Sequence, residues 1–180
     1  AFGTTKGSVE VLENEKGNHV AKFATENEIL AQPLFFGPVL VVGSTDNHVY
    51  GYSMETQDLV FVEDLGSDIV VDPCRVEGRV AVARKGGAVT LLDAATGASV
   101  WSWATDVAEE EVVALAEAPD TVCAGTSRGR LVALDSKTGA ARWELPLGSG
   151  EVAGVSVSDG VLYATLQSGL VAAVALVKRQ

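Results

Sequence analysis

Few side chains in this sequence of 180 residues could serve as nucleophiles, bases or metal ligands. The chain has two histidines, His19 and His48, and two cysteines, Cys74 and Cys123. A catalytic centre needs a nucleophile, a base and an orienting group in one place, and a zinc site needs closely spaced Cys and His ligands. These four residues are dispersed along the chain, and His48 directly follows a turn, as a solvated strand residue would. We therefore predict no catalytic, cofactor-binding or metal-binding residues.

Three further stretches can each be interpreted either as part of a functional site or as an ordinary loop or turn. Residues 148–154 (GSGEVAG) come close to a dinucleotide-binding motif, but they lie between two predicted strands with no helix after them, which favours a connecting loop. Residues 13–18 lack the alternating carboxylates of a calcium loop and are better interpreted as a turn. The acidic residues Asp106, Glu109, Glu110 and Glu111 could attract cations or a basic partner. We interpret them as a solvated loop.

The composition restricts the class of protein. A hydrophobic fraction of 47% argues against a disordered chain, and the formal net charge of −11 argues against a nucleic-acid groove. The longest apolar run, residues 170–177, has the length of a strand, so we predict no membrane-spanning helix.

Cys74 and Cys123 lie in apolar strand patterns and are predicted to be buried free thiols. The absence of an initiator Met or signal-like start suggests processing or truncation, and the compartment stays open.

A repeat of about 40 residues organises the chain. Its clearest copy, residues 123–143, reads as strand, tight turn, alternating strand, second turn and third strand. The second residue of each tight turn recurs at spacings of 40, 40, 42 and 40 residues, namely Gly7, Asn47, Gly87, Gly129 and Gly169. A second turn follows ten residues after the first four markers, at Gly17, Gln57, Gly97 and Gly139. Fourteen residues after the same markers come Ala21, Phe61, Trp101 and Trp143.

This register predicts strands where composition alone would not. Residues 106–118 have helical propensity, but the register places a loop at 106–110 and a strand at 111–116, and we follow the register. Residues 29–36 are predicted to be one apolar strand with Pro33 near its middle. Residues 69–71 are predicted to complete the sheet that begins at Val39.

Stacked antiparallel units of this size predict an all-β protein, a β-propeller with four-stranded blades of about 40 residues. We predict a single domain, residues 1–180, with blade repeats at 1–28, 29–67, 68–107, 108–150 and 151–180. The chain begins in a second strand and ends in a third, which predicts about eighteen strands. This is about four and a half blades and an incomplete ring. Phe61, Trp101 and Trp143 are expected to pack between neighbouring blades.

Three stretches resemble the PQQ-like, or quinoprotein-type, propeller repeat. They are residues 42–50 (VGSTDNHVY), residues 92–97 (LDAATG) with Trp101, and residues 134–139 (LDSKTG) with Trp143. The resemblance covers nearly the whole chain. A WD-repeat is the alternative, but no Trp-Asp dipeptide closes any copy.

The resemblance implies a fold more firmly than a function. The family includes quinone-dependent dehydrogenases, the propeller lipoprotein of bacterial outer-membrane assembly, sensor domains of unfolded-protein-response kinases and the propeller of an adenylating enzyme. The dehydrogenases characteristically have two adjacent cysteines, whereas Cys74 and Cys123 are far apart. We therefore expect a non-catalytic binding or scaffolding module that forms the C-terminal portion of a larger protein. Its partner would be another protein, the missing part of its own chain, or a second copy that completes the ring. The alternative is the propeller portion of an adenylating enzyme or dehydrogenase.

Overall fold

The computed structural model describes residues 1–176, which form five antiparallel sheets in chain order. The first sheet contains β1 (Phe2–Gly3), β2 (Ser8–Leu12) and β3 (His19–Ala24). The second contains β4 (Leu34–Phe36), β5 (Val39–Gly43), β6 (His48–Ser53) and β7 (Leu59–Asp64). The third contains β8 (Cys74–Val76), β9 (Arg79–Arg84), β10 (Ala88–Asp93) and β11 (Ser99–Ala104). The fourth contains β12 (Val112–Ala118), β13 (Thr121–Thr126), β14 (Arg130–Asp135) and β15 (Ala141–Pro146), and the fifth contains β16 (Val152–Ser158), β17 (Val161–Leu166) and β18 (Val171–Ala175).

Each sheet is a meander in which successive strands are hydrogen-bonded neighbours, and none of the five closes on itself. The eighteen strands in the described part of the chain match the predicted number. The strand predicted at 111–116 is present as β12, and residues 106–110 form the predicted loop. No helix occurs among residues 1–176, so none there could cross a membrane.

The turn between the second and third strands of a blade needs a residue with positive φ. Asn47 has φ of 75°, and Gly129 in the same position has φ of 74°. Asparagine tolerates this left-handed region better than most side chains, which explains how it replaces glycine in the second sheet. The marker residues therefore recur because this kind of hairpin requires a residue with positive φ at that position.

The first strand of a blade lies on the inner side of the arrangement. β12 contacts both β8 and β16, so the first strands of the third, fourth and fifth sheets converge. The fourth strand of each complete sheet consequently lies on the outside. The first sheet has the second, third and fourth strands of this pattern, and the fifth sheet has the first, second and third.

Four apolar clusters fill the spaces between successive sheets. Val9 and Leu40 belong to the cluster between the first and second sheets, and Val82 to that between the second and third. Val89 and Val122 share the cluster between the third and fourth sheets, and the last cluster joins the fourth sheet to the fifth. Burial of apolar area between sheets, rather than within any one sheet, therefore supplies the core.

Phe61 and Trp101 on the outer strands pack between neighbouring sheets, as the repeat predicted, and each also contacts the second turn of the next sheet. A side chain at Gly97 would collide with the Phe61 ring, and a Cβ at Gly139 would lie 2.7 Å from Trp101 Cδ2. Trp101 is 9% exposed, and its indole N–H donates to Ser136 O of the next sheet at 3.0 Å. Trp143 is only half-buried, at the junction with the fifth sheet.

Two strand predictions are wrong. Residues 29–33 form no strand, and β4 begins only at Leu34, directly after Pro33. The sheet that contains Val39 therefore has residues 34–36 as its first strand. Residues 69–71 form no strand either, and the third sheet begins at Cys74. Ile29 and Ile69 are buried because their side chains cover Gly3 and Gly43. The apolar pattern of these stretches therefore comes from residues such as Ile29 and Ile69 that are buried between blades.

Candidate functional site

Neither histidine lies in a catalytic arrangement. His19 is exposed on β3, and its Nε2 lies 2.6 Å from the carboxylate of Glu10, which also pairs with Lys22 at 2.6 Å. His48 is half-buried at the start of β6, and its Nδ1 lies 2.7 Å from the backbone oxygen of Asp46. Both contacts are made within one hairpin, so they secure local structure.

The cysteines are free thiols, as predicted. Cys123 is fully buried on β13, and burial raises its pKa to about 11. Cys74 on β8 is only half-buried by exposed area, yet burial of its sulfur and the nearby Glu117 raise its pKa to about 12. Both thiols therefore stay protonated at neutral pH, which makes them poor nucleophiles and poor metal ligands. No group of three or more His, Cys, Asp or Glu side chains converges within residues 1–176.

The acidic stretch is not simply a solvated loop. Asp106 and Glu109 are exposed, but Glu110 is 2% exposed and forms a bidentate ion pair with Arg130 of β14, with N–O distances of 2.5 and 3.0 Å. The hydroxyls of Thr105 and Thr126 donate to the two oxygens of the same carboxylate, at 2.6 and 2.8 Å. The prediction for Glu110 was wrong because the third sheet and β14 of the next sheet enclose it.

The electrostatics of this ion pair follow from its neighbours. Burial alone would raise the pKa of Glu110, but the hydrogen bonds from Arg130, Thr105 and Thr126 outweigh it, so the pKa lies below its ordinary value. The guanidinium of Arg130 also donates to Glu144 at 2.6 Å. Every oxygen of the buried carboxylate is satisfied by the protein itself, which leaves the pair as a clamp between two sheets.

A second polar cluster joins the first two sheets. The Tyr50 hydroxyl donates to Asp46 Oδ2 at 2.8 Å, and the backbone N–H of Glu26 donates to the same oxygen at 2.9 Å. Tyr52 donates to Ala24 O at 2.6 Å and stacks on Phe23 with ring centroids 4.5 Å apart. Burial, together with the charge of Asp46, raises the pKa of Tyr52 to about 12, so this phenol stays protonated.

The polar residues of the repeat motif hold its turns. Asp93 accepts hydrogen bonds from the backbone of Ala95 and Thr96, at 3.1 and 2.9 Å. Asp135 accepts them in the same way from Lys137 and Thr138. Arg142 also donates to Asp135, and it is the main reason that the pKa of that carboxyl is well below its usual range. The motif residues of the repeat therefore stabilise turns in this chain.

Two surface features remain as candidate contact regions. A groove of about 1100 Å³ lies between the fourth and fifth sheets and is lined among others by Pro119, Trp143, Glu144 and Val174. The outer rim, defined as Val20, Val60 and Val100 at the same position of β3, β7 and β11, is exposed to 45%, 46% and 40%. Leu59 and Val62 widen it on β7.

Radially stacked four-stranded meanders of this kind define a β-propeller, which confirms the fold predicted from the repeat. The family model described as outer membrane protein assembly factor BamB matches residues 5–179. The chain therefore belongs to this PQQ-like propeller family, which confirms the resemblance seen in the sequence.

Solved structures agree with this assignment. BamB from Moraxella catarrhalis matches 96% of the chain at 27% identity with a TM-score of 0.79, and the match covers 57% of that protein. The computationally designed Ika4 protein, at 19% identity, matches 85% of the chain with a TM-score of 0.76 and is covered over 94% of its length. Saccharomyces cerevisiae Sqt1, at 15% identity, matches 99% with a TM-score of 0.82 and is covered over 55%. The last two show the fold alone, and the chain spans little more than half of BamB. A search of curated proteins found no match.

The quinone-dependent members of the family provide a further test of the site. Their adjacent cysteines have no counterpart here, because Cys74 lies on β8 of the third sheet and Cys123 on β13 of the fourth. The described residues therefore do not fit that cofactor, and no chemistry through it can be derived.

Neither the ion pair of Glu110 and Arg130 nor the cluster around Tyr50 and Tyr52 was predicted from the sequence. Arg130 and His48 share one repeat position, directly after the turn marker, and Glu110 directly precedes the inner region of the next blade. A signal was therefore present, because the opposite charges at these two register-fixed positions could have been compared. It was hidden by the neighbouring acidic residues, which are exposed.

Proposed function

We propose that the protein is a non-catalytic, protein-binding scaffold, and that residues 1–180 form the C-terminal part of a larger BamB-like propeller. The observation that carries this proposal is the family match over residues 5–179 together with the coverage of only 57% of the BamB chain. The end sheets support it, since each has three strands where the inner sheets have four. The blade units of the proposal are 1–28, 29–67, 68–107, 108–150 and 151–180.

Protein binding is assigned to the outer rim. Its valines are β-branched, apolar and exposed at one position of three consecutive blades, and β7 adds Leu59 and Val62. Each of three successive blades thus exposes an apolar side chain at the same position, and exposed apolar patches mark contact sites more often than isolated residues do. The fourth blade has Arg142 at this position, so the rim ends at the third blade.

Site-specific photocrosslinking in the source organism tests this role. A photoreactive phenylalanine analogue is placed at Val60, and a matched control is placed at Glu55, which is exposed at the turn of the same sheet. The proposal predicts a discrete protein adduct from position 60 and none from position 55. Equal labelling at both positions, or no protein adduct at position 60, would contradict it.

The enzymatic alternatives predict different results. A quinone-dependent dehydrogenase would bind pyrroloquinoline quinone with calcium and show its absorbance after gel filtration. The accessory propeller of an adenylating enzyme would be joined to an adenylation domain in the native polypeptide. The scaffold proposal predicts neither result.

A further inference from the structure

Arg84 differs from the residues that share its position in the repeat. It is the last residue of β9 and lies three positions before the turn marker Gly87. Thr4 and Thr126 hold this position in the first and fourth sheets, and the hydroxyl of each accepts a backbone N–H of its own turn at 3.1 Å. The third sheet therefore has a guanidinium where these two sheets have a short hydroxyl that stabilises the turn.

The side chain of Arg84 faces the gap between the second and third sheets. Val80 and Val82 belong to the apolar cluster of that gap, and alternate residues of a strand share one face of the sheet. Arg84 is half-buried, and its Nε is shielded from solvent without a hydrogen-bond acceptor among residues 1–176. It takes part in none of the ion pairs of that range. Since buried donors are nearly always paired, this guanidinium is an exception that needs an explanation.

The next gap shows which group such a cation binds. Arg130 lies directly after the marker Gly129 and pairs with the buried carboxylate of Glu110. Ala88 holds the position of Arg130 in the third sheet and is the ladder partner of Arg84. Equivalent hairpins of the third and fourth sheets therefore each carry one arginine, and in the fourth sheet a buried carboxylate is its partner.

The connection that supplies Glu110 in one gap supplies no such partner in the other. Residues 105–111 carry Glu110, whereas residues 65–68 make the corresponding, shorter connection between the second and third sheets. The acidic residue of the shorter connection is Asp68, and its carboxylate lies 2.6 Å from Lys85 Nζ. Asp68 is therefore already paired with a different cation.

Two further carboxylates lie near this end of the third sheet. Glu111 accepts the backbone N–H groups of Gly86 and Gly87, at 2.8 and 3.1 Å. Glu63 is half-buried on β7, two residues after Phe61 and on the same face of the sheet, so it points toward the gap that Arg84 faces. It forms no ion pair with Arg84. The negative charge of Glu63 consequently opposes another anion in this gap, and its removal should strengthen anion binding.

We propose that Arg84 binds an oxyanion, a carboxylate or a phosphate, that enters the gap between the second and third sheets from solvent. A guanidinium binds both kinds of anion with two parallel hydrogen bonds, and here Nε–H and one Nη–H are the donors. Binding involves a rotation about the side-chain bonds of Arg84 that brings the shielded Nε–H to the ligand. The site depends neither on the outer rim nor on the scaffolding role.

Nitrogen-15 correlation spectra of the arginine Nε–H groups test this proposal on the 180-residue chain. Acetate and phosphate are titrated separately at constant ionic strength, and the signal that disappears in Arg84→Lys is assigned to Arg84. We expect a saturable shift of that signal, and the anion that saturates it at the lower concentration identifies the ligand class. Arg128 is the internal control, because its guanidinium is exposed and donates to Ala108 O, so its signal should show no saturable shift.

Glu63→Gln distinguishes a site in this gap from a general effect of salt. It removes the charge that faces the same gap and should lower the apparent Kd of the anion about twofold. Glu109→Gln, exposed in the connection of the next gap, is the matched control and should leave the Kd unchanged. Circular dichroism melts establish that both variants and Arg84→Lys are folded.

Three results would overturn the proposal. The first is the absence of a saturable shift at Arg84 with either anion, and the second is an equal shift at Arg84 and Arg128. The third is a Glu63→Gln chain in which the Arg84 signal, before any anion is added, has moved further than the anions move it in the parent chain. Glu63 would then be the partner of Arg84 in solution.

Discussion

At the residue scale, the buried pair of Glu110 and Arg130 makes a pH-dependent contribution to stability. The folded-state pKa of Glu110 lies below its ordinary value of 4.5, so the carboxylate stabilises the fold above about pH 4.5. This contribution is lost as the pH falls through the lower folded pKa. Glu110→Gln leaves Arg130 without its partner and should cost about 3 kcal/mol at pH 7.

The difference between Glu110→Gln and the parent chain should shrink toward pH 3, because the contribution of the carboxylate to stability declines once the pH falls below its ordinary pKa of 4.5. Urea unfolding at pH 7 and pH 3 measures both effects. Glu109→Gln, on the same loop but exposed, is the control and should change the unfolding free energy by less than about 0.5 kcal/mol at either pH. Equal destabilisation by the two substitutions would refute the clamp.

Trp101 is the second residue whose role can be measured directly. Its ring is buried between the third and fourth sheets, and its N–H donates to Ser136 O. Trp101→Ala should lower the unfolding free energy by about 3–5 kcal/mol, because it leaves a large cavity between two blades. Val100→Ala, at the adjacent and exposed position, should stay within about 0.5 kcal/mol. Thermal melts of the two variants measure this difference. An unchanged melting temperature in Trp101→Ala would count against the blade register.

At the scale of elements, the contact between an aromatic residue and the turn of the next sheet can be tested by substitution of two glycines. Both glycines lie at the second turn of their own repeat. Gly139 has φ of 73° and lies against Trp101, whereas Gly17 has φ of 69° and a Cβ there would meet no described atom within 4 Å. Gly17→Ala should cost about 1–2 kcal/mol from backbone strain alone. Gly139→Ala should cost about 1–3 kcal/mol more, because the added methyl group collides with the indole.

A double-mutant cycle isolates this contact. In the Trp101→Ala background the excess cost of Gly139→Ala over Gly17→Ala should disappear, since the ring that it strikes is gone. Denaturant titrations of the parent chain, of Trp101→Ala, of Gly139→Ala and of the double variant give the coupling energy. A coupling near zero would show that Trp101 and the turn act independently.

The elements also show how far the sequence could predict the structure. The positive φ of Asn47 and the packing of Phe61 between two sheets followed from the register, because the turn marker and the aromatic position recur along the chain. The boundaries around Ile29 and Ile69 could not be predicted from hydrophobicity, since burial without strand pairing leaves the same apolar pattern as a strand. The clamp at Glu110 depends on how the loop at 106–110 packs against Arg130 of β14, and that is a tertiary contact.

At the scale of the whole molecule, the first and last sheets differ from the three between them. Each of the inner sheets has four strands and an apolar cluster on both faces, whereas the first and last sheets take part in one cluster each. The outer face of the fifth sheet carries Tyr163 and Val171, both exposed. In a larger propeller these faces would be covered by further blades, as the inner faces are.

The intact mass of the native polypeptide in its source tests this account most directly. Residues 1–180 have a mass of 18.7 kDa, and they span 57% of the BamB chain to which they are similar. A larger propeller predicts a native mass well above 18.7 kDa, with the additional sequence supplying further repeats. A native polypeptide of 18.7 kDa would contradict the account, and self-association would then have to complete the ring.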